Sequence, residues 1–229
     1  MKLRKYIASA LVLRICKTSV TNTSFASGKG KDKYNNNKSV IQQQLDAFDT
    51  LEKEIQKNRN IVVQPDKDSN GKARAGTYPT RKGVILVTRD GSFDKIVGHA
   101  GIVYNSTTTI EAFPKEKAPK NTAGEVVNGV TTYANKWNTR YKKVYAVTTS
   151  GTTIEQDSSA ADYAYTHRNK PYNWVFTSIE TTDKFYCSQL VYKSYKTKTG
   201  KNLNQGGGIV FPIDLVQSSN TYTIYTQGV

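Results

Sequence analysis

Cys187 sits in Phe185-Tyr186-Cys187-Ser188-Gln189-Leu190-Val191-Tyr192, just after a polar turn (Thr181-Thr182-Asp183-Lys184) and at the start of a helical pattern. A thiol at a helix N-terminus meets unpaired backbone N–H groups and the positive end of the macrodipole, both of which favour the thiolate. Such a cysteine is a candidate nucleophile for acyl transfer. Free cysteines are also commonly buried as small hydrophobes, so the position needs a partner base. The chain has two histidines. His99 lies in a strand-like run flanked by small residues, Gly98-His99-Ala100-Gly101, which leaves room for another group to approach. His167 falls near the C-terminal end of a polar helical pattern beside Arg168 and Lys170, where it is expected to face water and the helix dipole. His99 is therefore the preferred base. A base needs a third group to orient it. Glu111, set between apolar neighbours in Thr109-Ile110-Glu111-Ala112-Phe113, is a carboxylate whose burial is costly without a partner. It could also be an edge residue facing solvent.

The elements that must position these residues follow from periodicity. Val40, Ile41, Leu45, Phe48, Leu51 and Ile55 recur at three- and four-residue steps, so residues 39–58 are expected to form an amphipathic helix. Residues 27–37 (SGKGKDKYNNN) are polar and Gly/Asn-rich and read as a lead-in, and residues 64–80 read as loop. Strands are expected over 83–89, 98–104, 108–113, 126–133 and 143–149. Helices are expected over 155–168 and 187–198, and a turn and a strand over 209–216 and 221–226. This is an α+β pattern: a mostly antiparallel sheet with helices packed on it.

The first 26 residues have the outline of a signal peptide: Lys2, Arg4 and Lys5, then the apolar YIASALVL, then Ser24-Phe25-Ala26 as a cleavage site. Arg14 and Lys17 interrupt the apolar run. Removal of residues 1–26 would take away Cys16 and leave Cys187 alone, without an internal disulfide. The domain division expected is 1–26 signal peptide, 27–80 lead-in, helix and loop, and 81–229 catalytic domain. The formal charge is +15 over 229 residues. Without the first 26 residues it would be near +10, 28 basic against 18 acidic residues. That implies attraction to an anionic envelope surface. No RNA-binding signature or Arg-rich recognition helix points to specific nucleic acid. Two separated histidines and one cysteine make no zinc pattern, and no cofactor is implied. The oligomeric state is left open.

Gly98-His99-Ala100-Gly101-Ile102-Val103-Tyr104 with Ile110-Glu111-Ala112 resembles the histidine strand and third-polar-residue strand of NlpC-type papain-like hydrolases. Lys170-Pro171-Tyr172-Asn173-Trp174 and Tyr186-Cys187-Ser188-Gln189-Leu190-Val191 resemble that superfamily's tyrosine and cysteine-helix segments. Ordinary members run cysteine, histidine, third residue. Here His99 and Glu111 come first, the order of the circularly permuted, YiiX-like branch, and the resemblance covers roughly residues 80–215. It implies a papain-like fold with Cys187 as nucleophile, His99 as base, Glu111 as orienter and Tyr172 beside the oxyanion, together with the Cys187 backbone N–H. The glycine pair that follows the tyrosine motif is absent after Trp174. Gln189 stands where many permuted members carry an acidic residue, which bears on specificity. The resemblance implies a thiol hydrolase cleaving an amide or ester bond in cell-wall peptides or in lipid or N-acyl substrates, and the N-terminal pattern adds secretion or envelope association. A non-catalytic envelope-binding module, or a lipid acyltransferase using the same residues, are the alternatives.

Overall fold

The computed structural model describes residues 31–67 and 76–229. The signal-peptide and cleavage-site expectations, and Cys16, lie outside the described residues. A long helix, α1 (Lys31–Val62), leads into six strands and four further helices. The strands are β1 (Ile85–Phe93), β2 (Ile96–Asn105), β3 (Thr108–Phe113), β4 (Gly129–Ala134), β5 (Val144–Thr149) and β6 (Thr221–Gln227). They form one antiparallel sheet in the order β4-β3-β2-β1-β5-β6. The helices are α2 (Trp137–Arg140), α3 (Ile154–Thr166), α4 (Cys187–Thr199) and α5 (Pro212–Gln217).

Most elements lie where the periodicity places them, with three differences. Residues 212–217, expected as part of a turn, form the helix α5, opened by Pro212 and capped by the Asp214 carboxylate accepting from the Phe211 N–H; the other two concern α1 and α2. The helix α1 begins at Lys31 and breaks from helical geometry at Asn58. Its first turns, Lys31-Asp32-Lys33-Tyr34-Asn35-Asn36-Asn37, hold a single aromatic residue and carry no apolar period to be read. The short α2, a single turn after β4, has too few residues for any period to register.

α1 is held to the sheet by both apolar and polar contacts. Phe48, Leu51 and Ile55 are buried in the main core. Gln44 donates from Nε2 to the Lys95 carbonyl at 2.7 Å and accepts from the Val97 N–H at 3.0 Å. Those two bonds pin the β1–β2 hairpin. Glu52 accepts from Tyr145 Oη at 2.6 Å and from Arg89 at 2.8 Å, so its burial is compensated.

The sheet is buried on both faces. Ile85, Val87, Ala100, Ile102, Ile110 and Ala112 join the core that includes Leu190, Val191 and Tyr195 of α4. Val84, Leu86, Val103, Val144 and Trp137 form the second cluster. Strands covered on both sides read as near-continuous apolar runs, which is what GVILV and YAV show in β1 and β5.

Candidate active site

β2 carries His99 and β3 carries Glu111. In the antiparallel register Glu111 lies opposite Gly101. Opposed residues share a face and the side-chain period is two, so His99, two positions before Gly101, shares that face with Glu111. The intervening glycine makes the diagonal contact possible. A Cβ at Gly101 would lie 2.7 Å from Glu111 Cγ and 3.0 Å from Trp137 Cζ2. Without it, the Glu111 side chain leans across and its Oε2 accepts from His99 Nε2 at 2.9 Å. Gly98, with φ +79°, is also required: a Cβ there would sit 1.9 Å from the Thr88 carbonyl oxygen. The close approach lies beside the irregular register between Thr88 and Ser92.

Cys187 is the first residue of α4 and is 3 % exposed. It shares a cleft with His99, and the two groups shift each other's titration. The aligned polar neighbour of its sulfur is Ser188 Oγ at 3.9 Å. Catalytic hydrogen bonds are often loose before substrate binds. With Nε2 engaged by Glu111, Nδ1 is the ring nitrogen left for the thiol. Burial pushes the Cys187 thiol up, but His99 and the Ala100 backbone N–H outweigh it, and the thiol lies below its ordinary value. Burial pushes His99 down, and Cys187 and Glu111 outweigh that, so the imidazole lies above its ordinary value. Both directions favour a thiolate–imidazolium pair.

Glu111 is fully buried and fully partnered. Oε1 accepts from Thr109 Oγ1 at 2.5 Å, Trp137 Nε1 at 2.9 Å and Arg140 at 2.5 Å. Burial alone would raise its pKa; the Arg140 and His99 charges and these hydrogen bonds instead bring it down to about 2. Glu111 is therefore not the solvent-facing edge residue its sequence position also allowed. Its partners Thr109, Trp137 and Arg140 were not among the site residues expected from sequence. The available signal was weak: Trp137 and Arg140 are three residues apart, so one helical turn puts them on the same side.

Tyr172 is 4 % exposed and is placed by a parallel bridge to Phe185. The Phe185 N–H donates to the Pro171 carbonyl at 3.1 Å and the Asn173 N–H to the Phe185 carbonyl at 3.1 Å. Upstream, the Val130 N–H donates to the Lys170 carbonyl at 2.9 Å, tying the segment to β4. Burial raises the Tyr172 phenol well above its ordinary range, so it is a neutral hydroxyl.

Cys187, His99 and Tyr172 line one cleft of about 290 Å³. Its walls are largely apolar, with Phe93, Ile96, Phe113, Pro114 and Pro119, and Asp90, Lys117 and Arg140 add charges. The exposed Trp174 packs against Phe93 at a tilt and meets Tyr172 edge-on, with ring centroids 5.2 and 5.1 Å away. His167 is elsewhere: its Nδ1 pairs with the Tyr163 carbonyl at 2.8 Å and its ring meets Phe185 edge-on. Gln189 also lies away from the cleft. Its Oε1 accepts from Asn173 Nδ2 at 2.9 Å and the Tyr186 N–H at 3.2 Å. Its Nε2 reaches the carbonyls of Ser178, Ile179 and Thr181 at 3.1 to 3.3 Å. Gln189 thus fastens the 173–181 loop to the start of α4. An acidic side chain there could supply only the acceptor half of this set.

The site and fold together define a thiol hydrolase of papain-like kind in which the histidine and carboxylate strands precede the cysteine helix. Residues 89–211 match the family described as permuted papain-like amidase enzyme, YaeF/YiiX, C92 family. The chain belongs to that family, a family of cysteine-type amidases. Among solved structures it is similar to metalloprotein YiiX from Escherichia coli O157:H7, with a TM-score of 0.50 and 18 % identity. The match covers 65 % of this chain and 98 % of that one, and shows the shared fold. No curated protein matches the chain significantly. YiiX is described as a metalloprotein; among the described residues of this chain, no group of three or more His, Cys, Asp or Glu could hold a metal ion.

Proposed function

We propose that this chain hydrolyses an amide or ester bond through a thioester intermediate on Cys187, outside the cytoplasm. The observation that carries the reading is the convergence of Cys187 and His99 at one cleft with Glu111 bonded to His99 behind it, the thiol shifted down and the imidazole up. The Cys187 thiolate attacks the carbonyl carbon and a C–S bond forms. Negative charge develops on the carbonyl oxygen. The Cys187 N–H at the start of α4 and the Tyr172 hydroxyl are the donors suited to that oxygen. The carbon–nitrogen or carbon–oxygen bond breaks as the imidazolium proton, on Nδ1, passes to the leaving group. Water then attacks the thioester, giving its proton to His99. The C–S bond breaks, releasing the acid and restoring the thiolate. Throughout, Glu111 stays ionised and fixes the ring through Nε2.

The substrate is a cell-wall peptide amide or a lipid-like N-acyl compound. The apolar cleft and the packed rings of Phe93, Trp174 and Tyr172 suit an apolar group beside the scissile bond. Secretion is supported by the basic, then apolar, then small-residue pattern of the first 26 residues. The high charge suits an anionic wall or membrane surface. Among the described residues no helix is long and apolar enough to cross a membrane. The test is a hydrolysis screen of wall peptides against lipid esters and N-acyl amides, with Cys187→Ala as control. Turnover of either class that is lost in the variant supports the reading. Turnover that survives Cys187→Ala refutes it, as does failure of both classes with a thiol that is inert to alkylation.

A further inference from the structure

We infer that Arg140 is a positioning residue that shares the Glu111 carboxylate with His99 and so keeps the imidazolium acidic enough to protonate the leaving group. This rests on the amidase reading of the same site. The geometry divides the carboxylate in two. Oε2 faces only His99 Nε2, at 2.9 Å, while Oε1 takes Arg140 at 2.5 Å together with Thr109 and Trp137. The guanidinium is boxed by the rings of Tyr133, Trp137 and Tyr141, 5.0 to 5.8 Å from its centre. The surrounding rings restrict its movement away from the carboxylate.

A buried carboxylate facing histidine without such a partner would exert its whole charge on the imidazolium. The ring would then hold its proton too firmly to serve as general acid near neutral pH. A guanidinium on the far oxygen offsets that field while leaving the orienting hydrogen bond in place. Arg140 is the largest contributor offsetting the burial of Glu111, and it also sits in the wall of the catalytic cleft. Among the described residues, the other charged or titratable groups around the His99 cleft are Cys187 from α4, Tyr133 from β4, Tyr141 after α2, Tyr172 before α4, Asp90 from β1 and Lys117 from the turn after β3. Burial raises all three phenols, which stay neutral. The Asp90 carboxylate is bonded to the Lys142 and Lys143 N–H groups at 2.5 and 3.1 Å.

The test is the pH profile of Cys187 alkylation by iodoacetate. This anionic reagent reacts faster as the thiolate forms and slower as the imidazolium loses its proton, so the rate shows an acid and a basic limb. In Arg140→Gln the basic limb should move to higher pH by about one unit, since a unit charge a few ångströms off is removed. Arg140→Lys should restore the limb toward its wild-type position. Glu111→Gln, which leaves Arg140 unopposed, should move it to lower pH. Arg140→Gln combined with Glu111→Gln buries no unpaired charge, so it decides the matter even where Arg140→Gln alone does not fold. Its basic limb should return from the Glu111→Gln position toward that of the wild type. A basic limb unmoved in Arg140→Gln, or a double variant that titrates like Glu111→Gln, overturns the proposal. A wild-type profile with no acid limb below the ordinary thiol range would instead defeat the amidase reading itself.

Discussion

Gly101→Ala is the most direct probe of how the site is assembled. The new methyl group would stand 2.7 Å from Glu111 Cγ and 3.0 Å from Trp137 Cζ2, and 3.4 Å from Glu111 Cδ. Ordinary carbon contacts begin near 3.5 Å, so Glu111 or Trp137 must give by several tenths of an ångström. Gly101 carries no left-handed backbone angle, so the strain is confined to the side chains. Overpacking of this kind costs roughly 1–3 kcal/mol. For a chain of this size about 2 kcal/mol lowers Tm by roughly 4–8 °C. The effect on chemistry should be larger than the effect on folding. The yielding atoms belong to the carboxylate that fixes His99, and a displacement of about 1 Å in a catalytic constellation can cost on the order of 100-fold. The assay pairs a thermal melt with the rate of Cys187 alkylation at pH 6, where the wild-type thiolate depends on the imidazolium. The expected result is a modest Tm loss and a thiol whose reactivity has moved toward that of a free cysteine. Wild-type alkylation in a variant with the expected Tm loss would refute the idea that Glu111 acts through His99 by this contact.

Other outcomes follow from the same geometry. Wild-type Cys187 alkylation should inflect below the ~8.5 of a free thiol, because its pKa is shifted down; an inflection at or above 8.5 would remove the ion pair. Glu111→Gln keeps an acceptor for Nε2 but weakens stabilisation of the imidazolium, so turnover of the substrate found in the screen should fall less than in His99→Ala; equal losses would contradict a purely orienting role. Glu111 goes from an ordinary 4.5 to about 2 on folding. A lowered folded-state value adds stability that is present above pH 4.5 and lost as pH falls through 2, at most about 3 kcal/mol. Urea midpoints measured from pH 6 to 2 should therefore drop less in Glu111→Gln than in the wild type. Gln189→Leu strips acceptors from Asn173 and the Tyr186 N–H and a donor from three loop carbonyls, which should cost roughly 2–4 kcal/mol and speed proteolysis at 173–181; wild-type protease resistance would show that the loop is held by other contacts.

The residue types and local patterning of this chain determine a good deal by themselves. A period of 3.6 marks α3 and α4, because a helix that buries one face repeats apolar residues at its own pitch, and near-continuous apolar runs mark strands such as β1 and β5 that are covered on both faces. A cysteine at a helix start and a histidine between small residues single themselves out, since their reactivity depends on local backbone and local space. The order of His99, Glu111 and Cys187 along the chain carries the permutation. What the tertiary structure decides is everything that depends on register and on groups distant in sequence. Whether Glu111 shares a face with His99 turns on β3 pairing with β2 at Gly101, and a slip of one residue would send it to the other side. Arg140 and Trp137 reach Glu111 across 29 and 26 positions, from a turn of helix too short to announce itself. Gln189 looks in sequence like a departure at the site and in space is a loop anchor. Side-chain hydrogen bonding has no period, so only the packed fold brings these donors and acceptors together.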